Sequence, residues 1–243
     1  AAYQRGRDGP GIRVALAMAS RTMDREVSRV RAHRVLASLD TTDDNFLLSS
    51  AVNESARSWR LRDGRLQPVA TYERPDSAES TITDLGMGGA TIGSVGFNKP
   101  LVLWEPDGKL RTVGQAPGQI FLIARLNVGR DVIATQWDRD IALWDHDARL
   151  LGMLKNPERP DGVDATQLAG LVMVKDAPRL AVVFKPGLVE MWSTTDRTLA
   201  WQRNLGEPLT SAIATGDRLV VGMQSGAFVV LSSTGEIVFR RQA

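Results

Sequence analysis

Short stretches in which apolar and polar residues alternate recur along the chain, and each is followed by a polar turn and a second apolar stretch. The segments "LVLW", "IALW" and "FVVL" precede the turns "EPDG", "DHDA" and "SSTG". Alternation with a period of two is typical of β-strands, and Gly, Asp and Ser are common turn residues. The pattern therefore predicts β-hairpins. Five hairpins align on the last residue of their first strand, here called the pivot: Trp59, Trp104, Trp144, Trp192 and Leu231.

The spacing between successive pivots is nearly constant. The pivots are 45, 40, 48 and 39 residues apart, with a mean of 43. Two further apolar stretches precede each hairpin, so every unit contains four short strands. A four-stranded repeat of about 40–45 residues is typical of a β-propeller blade, in which sheets bury their faces against one another around an axis. We therefore expect an all-β protein, a β-propeller of four-stranded antiparallel blades.

About six blades are visible, the first of them incomplete, in a single domain that spans residues 1–243. The five complete blades are expected at residues 33–74, 75–117, 118–156, 157–205 and 206–243. Residues 1–32 read either as the later strands of a partial first blade or as a helix, and we favour strands. No segment supplies an inner strand for that first blade. The ring could therefore be open, or it could belong to a seven-bladed ring completed from elsewhere.

The repeats carry polar residues that resemble those of the WD-repeat (WD40-like) β-propeller family. Asn53, Asn98 and Asp138 stand six positions before three of the pivots, whereas Pro186 and Ser225 stand there in the last two repeats. The fullest copy is "AHRVLASL" followed by "NFLLSSAVNESARSW". The resemblance implies a structural hydrogen-bonded set made of His33, Ser49 or Ser50, Asn53 and Trp59. It also implies that the pivot indoles pack between blades rather than against a ligand: Trp59, Trp104, Trp144 and Trp192.

The last seventy residues are also similar to quinoprotein-like propellers. In the segment "RTLAWQRNLGEPLTSAIATGDRLVVGMQSGAFVVLSSTGEIVFR", Gly226 and Gly235 stand at turns and Trp201 is expected to end a strand. This second resemblance implies an alternative function, as an envelope assembly scaffold or a dehydrogenase-type propeller. It would place the protein in the periplasm.

The composition offers little chemistry. The chain has no Cys and only two His, and it lacks the motifs of nucleophilic serine, phosphate-binding loop and zinc protease sites. The glycine-rich segment 86–93 leads into a β-like stretch, whereas a phosphate-binding loop leads into a helix. We therefore expect no catalytic residues, no metal, no cofactor and no small-molecule substrate, and the protein is predicted not to be an enzyme.

The charge distribution is uneven, although the net charge is only +2. Residues 1–34 contain eight Arg and three acidic residues. This excess reads as a solvated face or as a basic docking patch. Aromatic residues are not interleaved with these arginines apart from Tyr3, so we expect no nucleic-acid partner. No run of eighteen apolar residues occurs, and we expect no membrane span.

The function that fits a propeller without catalytic chemistry is a protein–protein interaction scaffold within a multi-subunit complex. By resemblance to the WD-repeat family, the partner face carries the turns between the second and third strands of the blades. These turns contain Asn53, Glu54, Asn98, Lys99, Asp138, Arg139, Asp140, Lys185, Gln224 and Ser225. A further alternative is a WD-repeat sensor domain of a larger multidomain bacterial protein. We expect a cytoplasmic location, or a periplasmic one if the protein is quinoprotein-like.

Overall fold

The apolar stretches of the repeat form the β-strands of the computed structural model. The structure describes residues 36–42, 46–51, 54–73, 84–88, 91–96, 99–114, 126–129, 131–137, 139–174 and 177–242. Within these residues twenty strands form five antiparallel sheets, and the four strands of each sheet follow one another in chain order. The sheets are called blades 1 to 5.

The strand bounds follow the predicted repeat. Blade 1 contains β1 (Leu36–Thr42), β2 (Phe46–Ala51), β3 (Glu54–Arg62) and β4 (Arg65–Tyr72). Blade 2 contains β5 (Asp84–Gly88), β6 (Thr91–Gly96), β7 (Lys99–Trp104) and β8 (Leu110–Val113). Blade 3 contains β9 (Leu126–Val128), β10 (Ile133–Trp137), β11 (Asp140–Trp144) and β12 (Leu150–Leu154). Blade 4 contains β13 (Leu168–Met173), β14 (Arg179–Phe184), β15 (Leu188–Ser193) and β16 (Leu199–Asn204). Blade 5 contains β17 (Leu209–Thr215), β18 (Arg218–Met223), β19 (Phe228–Leu231) and β20 (Ile237–Arg241).

The first strand of every blade lies innermost. β1 contacts β5, β5 contacts β9, β9 contacts β13, and β13 contacts β17, so the first strands surround a common axis. The prediction of an all-β propeller with four-stranded antiparallel blades is confirmed. The described residues hold five four-stranded blades, and the partial blade predicted over residues 1–32 lies outside them. The single domain over 1–243, its blade bounds and the way the ring closes stay predictions.

Each blade has two faces, which pack against different neighbours. The pivot faces the preceding blade: Trp192 lies in one core cluster with Leu143 of blade 3. The residue before the pivot points to the opposite side of the sheet, so Met191 packs with Val229 of blade 5. We call these two sides the backward face and the forward face of a blade. The core of the protein is the series of interfaces between forward and backward faces.

The pivot tryptophans are buried, with at most 6% of their surface exposed. Trp59 Nε1 donates a hydrogen bond to Ser49 Oγ at 2.9 Å, and Trp144 Nε1 donates to Thr135 Oγ1 at 2.8 Å. Blade 5 has Leu231 as its pivot, and this side chain is fully buried. His33 lies outside the described residues. The four-residue set implied by the family resemblance therefore stays a prediction.

The turn between the third and outer strands of each blade reaches back onto the outer strand of the preceding blade. One such polar contact occurs at each of the four interfaces between described blades. In chain order the pairs are Tyr72 with the Pro106 carbonyl (2.9 Å), Arg111 with Asp147 (3.4 Å), the Leu151 carbonyl with Arg197, and Trp201 with the Ser233 carbonyl (3.0 Å). The same two elements meet at each interface, although the chemistry of the contact is different each time.

The burial of Tyr72 predicts a pH dependence of stability. Burial raises the pKa of Tyr72 from 10.0 to about 12. Because the folded protein holds this proton more tightly than the unfolded chain does, its contribution to stability is complete below pH 10 and is lost between pH 10 and about 12. We expect Tyr72→Phe to remove this part of the pH dependence in urea unfolding, whereas Tyr3→Phe should retain it. An unchanged decline in Tyr72→Phe would contradict this assignment.

The last contact predicts that Gly235 cannot be replaced without loss of stability. A Cβ atom at Gly235, where φ is +83°, would lie 2.7 Å from Cδ2 of Trp201. Gly206 has nearly the same φ, +80°, but no heavy atom would lie within 4 Å of its Cβ. Both alanine variants have the backbone strain, and only Gly235→Ala adds overpacking. We expect Gly235→Ala to lower the free energy of unfolding by about 1–3 kcal/mol more than Gly206→Ala. Equal losses in urea unfolding would show that the indole moves aside freely.

Candidate partner-binding face

Two kinds of loop meet at one edge of every blade. Because neighbouring strands run in opposite directions, the turn between the second and third strands lies at the same edge as the linker from the outer strand to the next blade. We call this edge, with its turns and linkers, the linker face. The opposite edge carries the turns between the third and outer strands, and we call it the hairpin face.

The structure places the described members of the predicted partner-binding set on the linker face. Glu54, Lys99 and Asp140 begin the third strands of blades 1, 2 and 3, Arg139 precedes β11, and Lys185, Gln224 and Ser225 lie in the turns of blades 4 and 5. Asn53, Asn98 and Asp138 lie outside the described residues. The role of the whole set in partner binding stays a prediction.

Backbone hydrogen bonds join the turns and linkers of blades 3 to 5 into one continuous belt. Each linker bonds to the turn of the blade before it, the turn of the blade after it, or both. The bonds run from Ala165 N to Arg139 O (3.0 Å), Lys185 N to Gln167 O (2.7 Å), Leu209 N to Lys185 O (2.9 Å) and Gln224 N to Pro208 O (2.8 Å). Main-chain bonds that cross between elements hold these loops in fixed positions. The linker face is therefore a preorganised surface in this part of the ring.

Side-chain ion pairs on the linker face are exposed and of mixed sign. Arg139 Nε lies 3.7 Å from a carboxylate oxygen of Asp164, and 77% of the Arg139 side chain is exposed. Glu207 accepts hydrogen bonds from Ser225 Oγ at 2.7 Å and from Arg240 Nη2 at 2.9 Å. Exposed pairs of this kind contribute about 0–1 kcal/mol each to stability. These ion pairs therefore contribute little to holding the fold.

A buried carboxylate anchors the longest linker, which connects blades 3 and 4. Glu190, on β15, is fully buried and accepts hydrogen bonds from Arg159 Nε (2.8 Å), Arg159 Nη2 (3.0 Å), Asn156 Nδ2 (2.8 Å) and Trp192 Nε1 (2.9 Å). The Arg159 guanidinium lies 4.8 Å from the ring centroid of Phe184. A buried charge requires an opposite charge and hydrogen bonds to be tolerated. Glu190 has both.

The same carboxylate replaces the hydroxyl that serves the pivot in other blades. In blades 1 and 3 the acceptor hydroxyl lies on the second strand, two positions after the residue that pairs with the pivot tryptophan; these acceptors are Ser49 and Thr135. In blade 4 the same position is occupied by Val182. Valine cannot accept a hydrogen bond, and Trp192 donates to Glu190 instead. One acceptor therefore fixes both the pivot of blade 4 and the linker that precedes it.

Sequence reasoning missed this group of residues. The segment "NPERPDGVDATQ" reads as a polar loop, and nothing in its spacing singles out Asn156 or Arg159. The available signal was in the strand "LVEMW", where Glu190 is the one charged residue in an otherwise apolar stretch. A carboxylate at a buried strand position requires a cationic partner. The identity of that partner was not readable from the sequence.

The described residues show no grouping that suggests metal or membrane chemistry. Among them, no three His, Asp or Glu side chains lie close enough together to hold a metal ion. The Asp145 carboxylate, in the turn "DHDA", accepts hydrogen bonds from the main-chain N–H groups of Asp147 and Arg149. In the same residues no helix is long and apolar enough to cross a membrane.

Comparison with solved structures identifies the fold. The chain superposes on the crystal structure of Saccharomyces cerevisiae Sqt1 with a TM-score of 0.66 and 12% identity, over 87% of this chain and 62% of that one. It superposes on the WD40 repeats of RRP9 with a TM-score of 0.68 and 16% identity, over 87% and 65%. The chain thus spans less than two thirds of either structure. No protein-family model and no curated protein sequence matches it.

These findings define the class of the protein. Five successive four-stranded blades and the likeness to Sqt1 and to the RRP9 repeats show a WD40-like β-propeller fold. The prediction made from the 43-residue repeat and the pivot residues is confirmed at this level.

The anchored linker predicts a large effect of removing Arg159. In Arg159→Met the Glu190 carboxylate stays buried without its charge partner, and we expect the free energy of unfolding to fall by about 3–5 kcal/mol. The control is Arg149→Met, since Arg149 forms an exposed pair with Asp147 at 4.0 Å and should contribute about 1 kcal/mol or less. The measurement is urea unfolding followed by tryptophan fluorescence. Similar losses in the two variants would be inconsistent with the arrangement around Glu190.

Proposed function

We propose that this protein is a non-catalytic interaction scaffold that binds a partner protein on its linker face. The observation that carries the proposal is the backbone belt that joins Arg139, Lys185 and Gln224 through the intervening linkers. A belt of main-chain bonds presents exposed charged side chains at fixed positions without using those side chains to hold the fold. Such a preordered surface loses little conformational entropy on binding.

The exposed charges of the linker face favour a polar contact that resembles the rim of an interface. Arg139 and Lys185 are exposed cations, and Asp164 and Glu207 lie on neighbouring linkers. Each exposed charge at such a contact contributes about 1 kcal/mol or less. Partner choice would therefore depend on several side chains together. The predicted set, which includes Glu54, Lys99 and Asp140, is the proposed contact surface.

The proposal includes membership of a multi-subunit complex, because a scaffold without chemistry acts by holding other proteins. The cytoplasm is its proposed location.

The quinoprotein-like alternative and the sensor-domain alternative make different predictions: a co-purified quinone in the first case, and a longer polypeptide joined to a signalling module in the second. Absorbance spectroscopy of the purified native protein and the mass of that protein separate these alternatives.

A charge-reversal experiment tests the linker face. We expect Lys99→Glu, Arg139→Glu and Lys185→Glu combined to weaken partner binding about 10- to 100-fold, because three rim contacts become repulsive. The matched control reverses three exposed cations at the hairpin face: Arg62→Glu, Lys109→Glu and Arg149→Glu. Both triple variants should fold, as judged by circular dichroism and thermal unfolding. Binding is measured by quantitative affinity purification from native extract with mass spectrometry.

Two outcomes would overturn the choice of face. In the first, the linker-face variant retains the partners of the unmodified chain. In the second, the hairpin-face variant loses the same partners to the same extent, which would reflect a general effect of charge.

A further inference from the structure

Four Asp–Gly pairs occur in the sequence, and the structure describes three of them: Asp63–Gly64, Asp107–Gly108 and Asp161–Gly162. The main-chain nitrogen of the residue after an Asp can attack the Asp carboxyl group, and a following Gly hinders the attack least because it has no Cβ atom. In a folded protein the reaction depends on how freely these two groups can move. The three described pairs differ in this freedom.

Both reacting groups of the Asp107–Gly108 pair are held in place. Asp107 Oδ1 accepts a hydrogen bond from Lys109 N at 3.0 Å, and Gly108 N donates one to Glu105 O at 3.0 Å. Blade 1 lies close to the same turn, since a Cβ atom at Gly108 would be 2.9 Å from the carbonyl oxygen of Thr71. A rotation that brings the two groups together would break these contacts.

The Asp63–Gly64 pair is held by the strands on either side of it. It forms a two-residue turn with φ of +49° at Asp63 and +69° at Gly64, which is typical of a type I′ hairpin. Arg62 and Arg65 flank the turn and pair across β3 and β4. Ring closure within this turn would require the end of the hairpin to open.

The Asp161–Gly162 pair lies in the linker between blades 3 and 4, and both residues are exposed. One hydrogen bond, from Val163 N to Pro160 O at 3.1 Å, closes the turn that contains them. Within the part of the chain that the structure describes, neither the Asp161 carboxylate nor the Gly162 N–H group has a hydrogen-bond partner. Apart from its chain neighbours, no heavy atom would lie within 4 Å of a Cβ atom at Gly162, where φ is +80°. The two groups can therefore rotate toward each other without loss of packing.

We propose that Asp161–Gly162 is a site of spontaneous isomerisation to isoaspartate. Gly162 N attacks Cγ of Asp161: a C–N bond forms, a C–O bond of the carboxyl group breaks, and one water molecule leaves with the amide proton. Water then opens the resulting succinimide ring. Hydrolysis at Cγ restores Asp, and hydrolysis at the main-chain carbonyl carbon gives isoaspartate. The product is an isomer of the original chain, so the reaction needs no oxidant or reductant.

Isomerisation lengthens the main chain of the linker by one atom, because the chain then passes through Cβ and Cγ of Asp161. The linker is fixed on both sides of this position. Arg159 is bound to Glu190 on one side, and Ala165 N donates to Arg139 O at 3.0 Å on the other. The turn between these two anchors must therefore change shape. The proposal concerns a covalent change and does not rest on partner binding at the linker face.

Ageing of the purified whole chain tests the proposal. After several weeks at neutral pH and physiological temperature, isoaspartate is located by chromatography of peptides and electron-transfer fragmentation. We expect position 161 to contain about 10-fold more isoaspartate than position 107, which corresponds to a barrier lower by ~1.4 kcal/mol. Position 63 should also remain well below position 161. The control is the chain unfolded in urea, in which positions 107 and 161 should react alike because both lie in the sequence Pro-Asp-Gly.

Two glycine variants give the second measurement. In Gly162→Ala the added Cβ atom hinders the attack on Cγ of Asp161, and we expect the isoaspartate yield at position 161 to fall about 10-fold. The matched control is Gly206→Ala, because Gly206 also has φ of +80° and open space around its Cβ position. This control should leave the yield at position 161 unchanged. Circular dichroism and thermal unfolding check that both variants are folded.

Three outcomes would overturn the proposal. One is the absence of isoaspartate at position 161 in the aged folded chain. Another is an equal yield at positions 107 and 161 of the folded chain, which would show that the structure does not select the site. The third is an unchanged yield at position 161 in Gly162→Ala.

Discussion

Burial of the forward face of each blade by the backward face of the next is the interaction on which the rest of the structure depends. A four-stranded sheet of this size has two sides with apolar residues, and it cannot bury both of them alone. Because side chains alternate between the two sides of a strand, the pivot and the residue before it pack against different neighbouring blades. Trp192 and Met191 illustrate this division, since adjacent residues lie in different core clusters. Stability is therefore a property of neighbouring blades and not of single sheets.

Hydrophobic packing brings neighbouring blades together, and polar contacts then fix how the blades are aligned. Apolar surfaces associate without a strong directional preference. Hydrogen bonds from Tyr72 to the Pro106 carbonyl and from Trp201 to the Ser233 carbonyl do have direction, and they join outer strands to turns at the first and the last of the four described interfaces. Glu190 extends this principle into the interior, because it binds the pivot of its own blade and the linker from the previous one.

The architecture could be predicted from the sequence because it depends on the regular spacing of apolar stretches and turns. The pivots Trp59, Trp104, Trp144 and Trp192 and the turns after them marked the hairpins, and their spacing gave the blade. The polar contacts could not be predicted from the sequence, and the reason is physical. Arg159 and Glu190 are 31 residues apart in the chain and meet only when the linker folds over blade 4. The choice between Ser49 and Ser50 as acceptor for Trp59 also depends on strand register, which the sequence alone left open.

The belt on the linker face consists of main-chain atoms, and this has a consequence for evolution. An N–H group and a carbonyl are present at almost every position whatever the side chain, so the bonds from Lys185 and Gln224 would persist through most substitutions of those residues. The surface chemistry of these turns can therefore diversify under selection while the ring geometry is inherited unchanged. A loop surface of this kind can change its side chains by point mutation without passing through unstable ancestors.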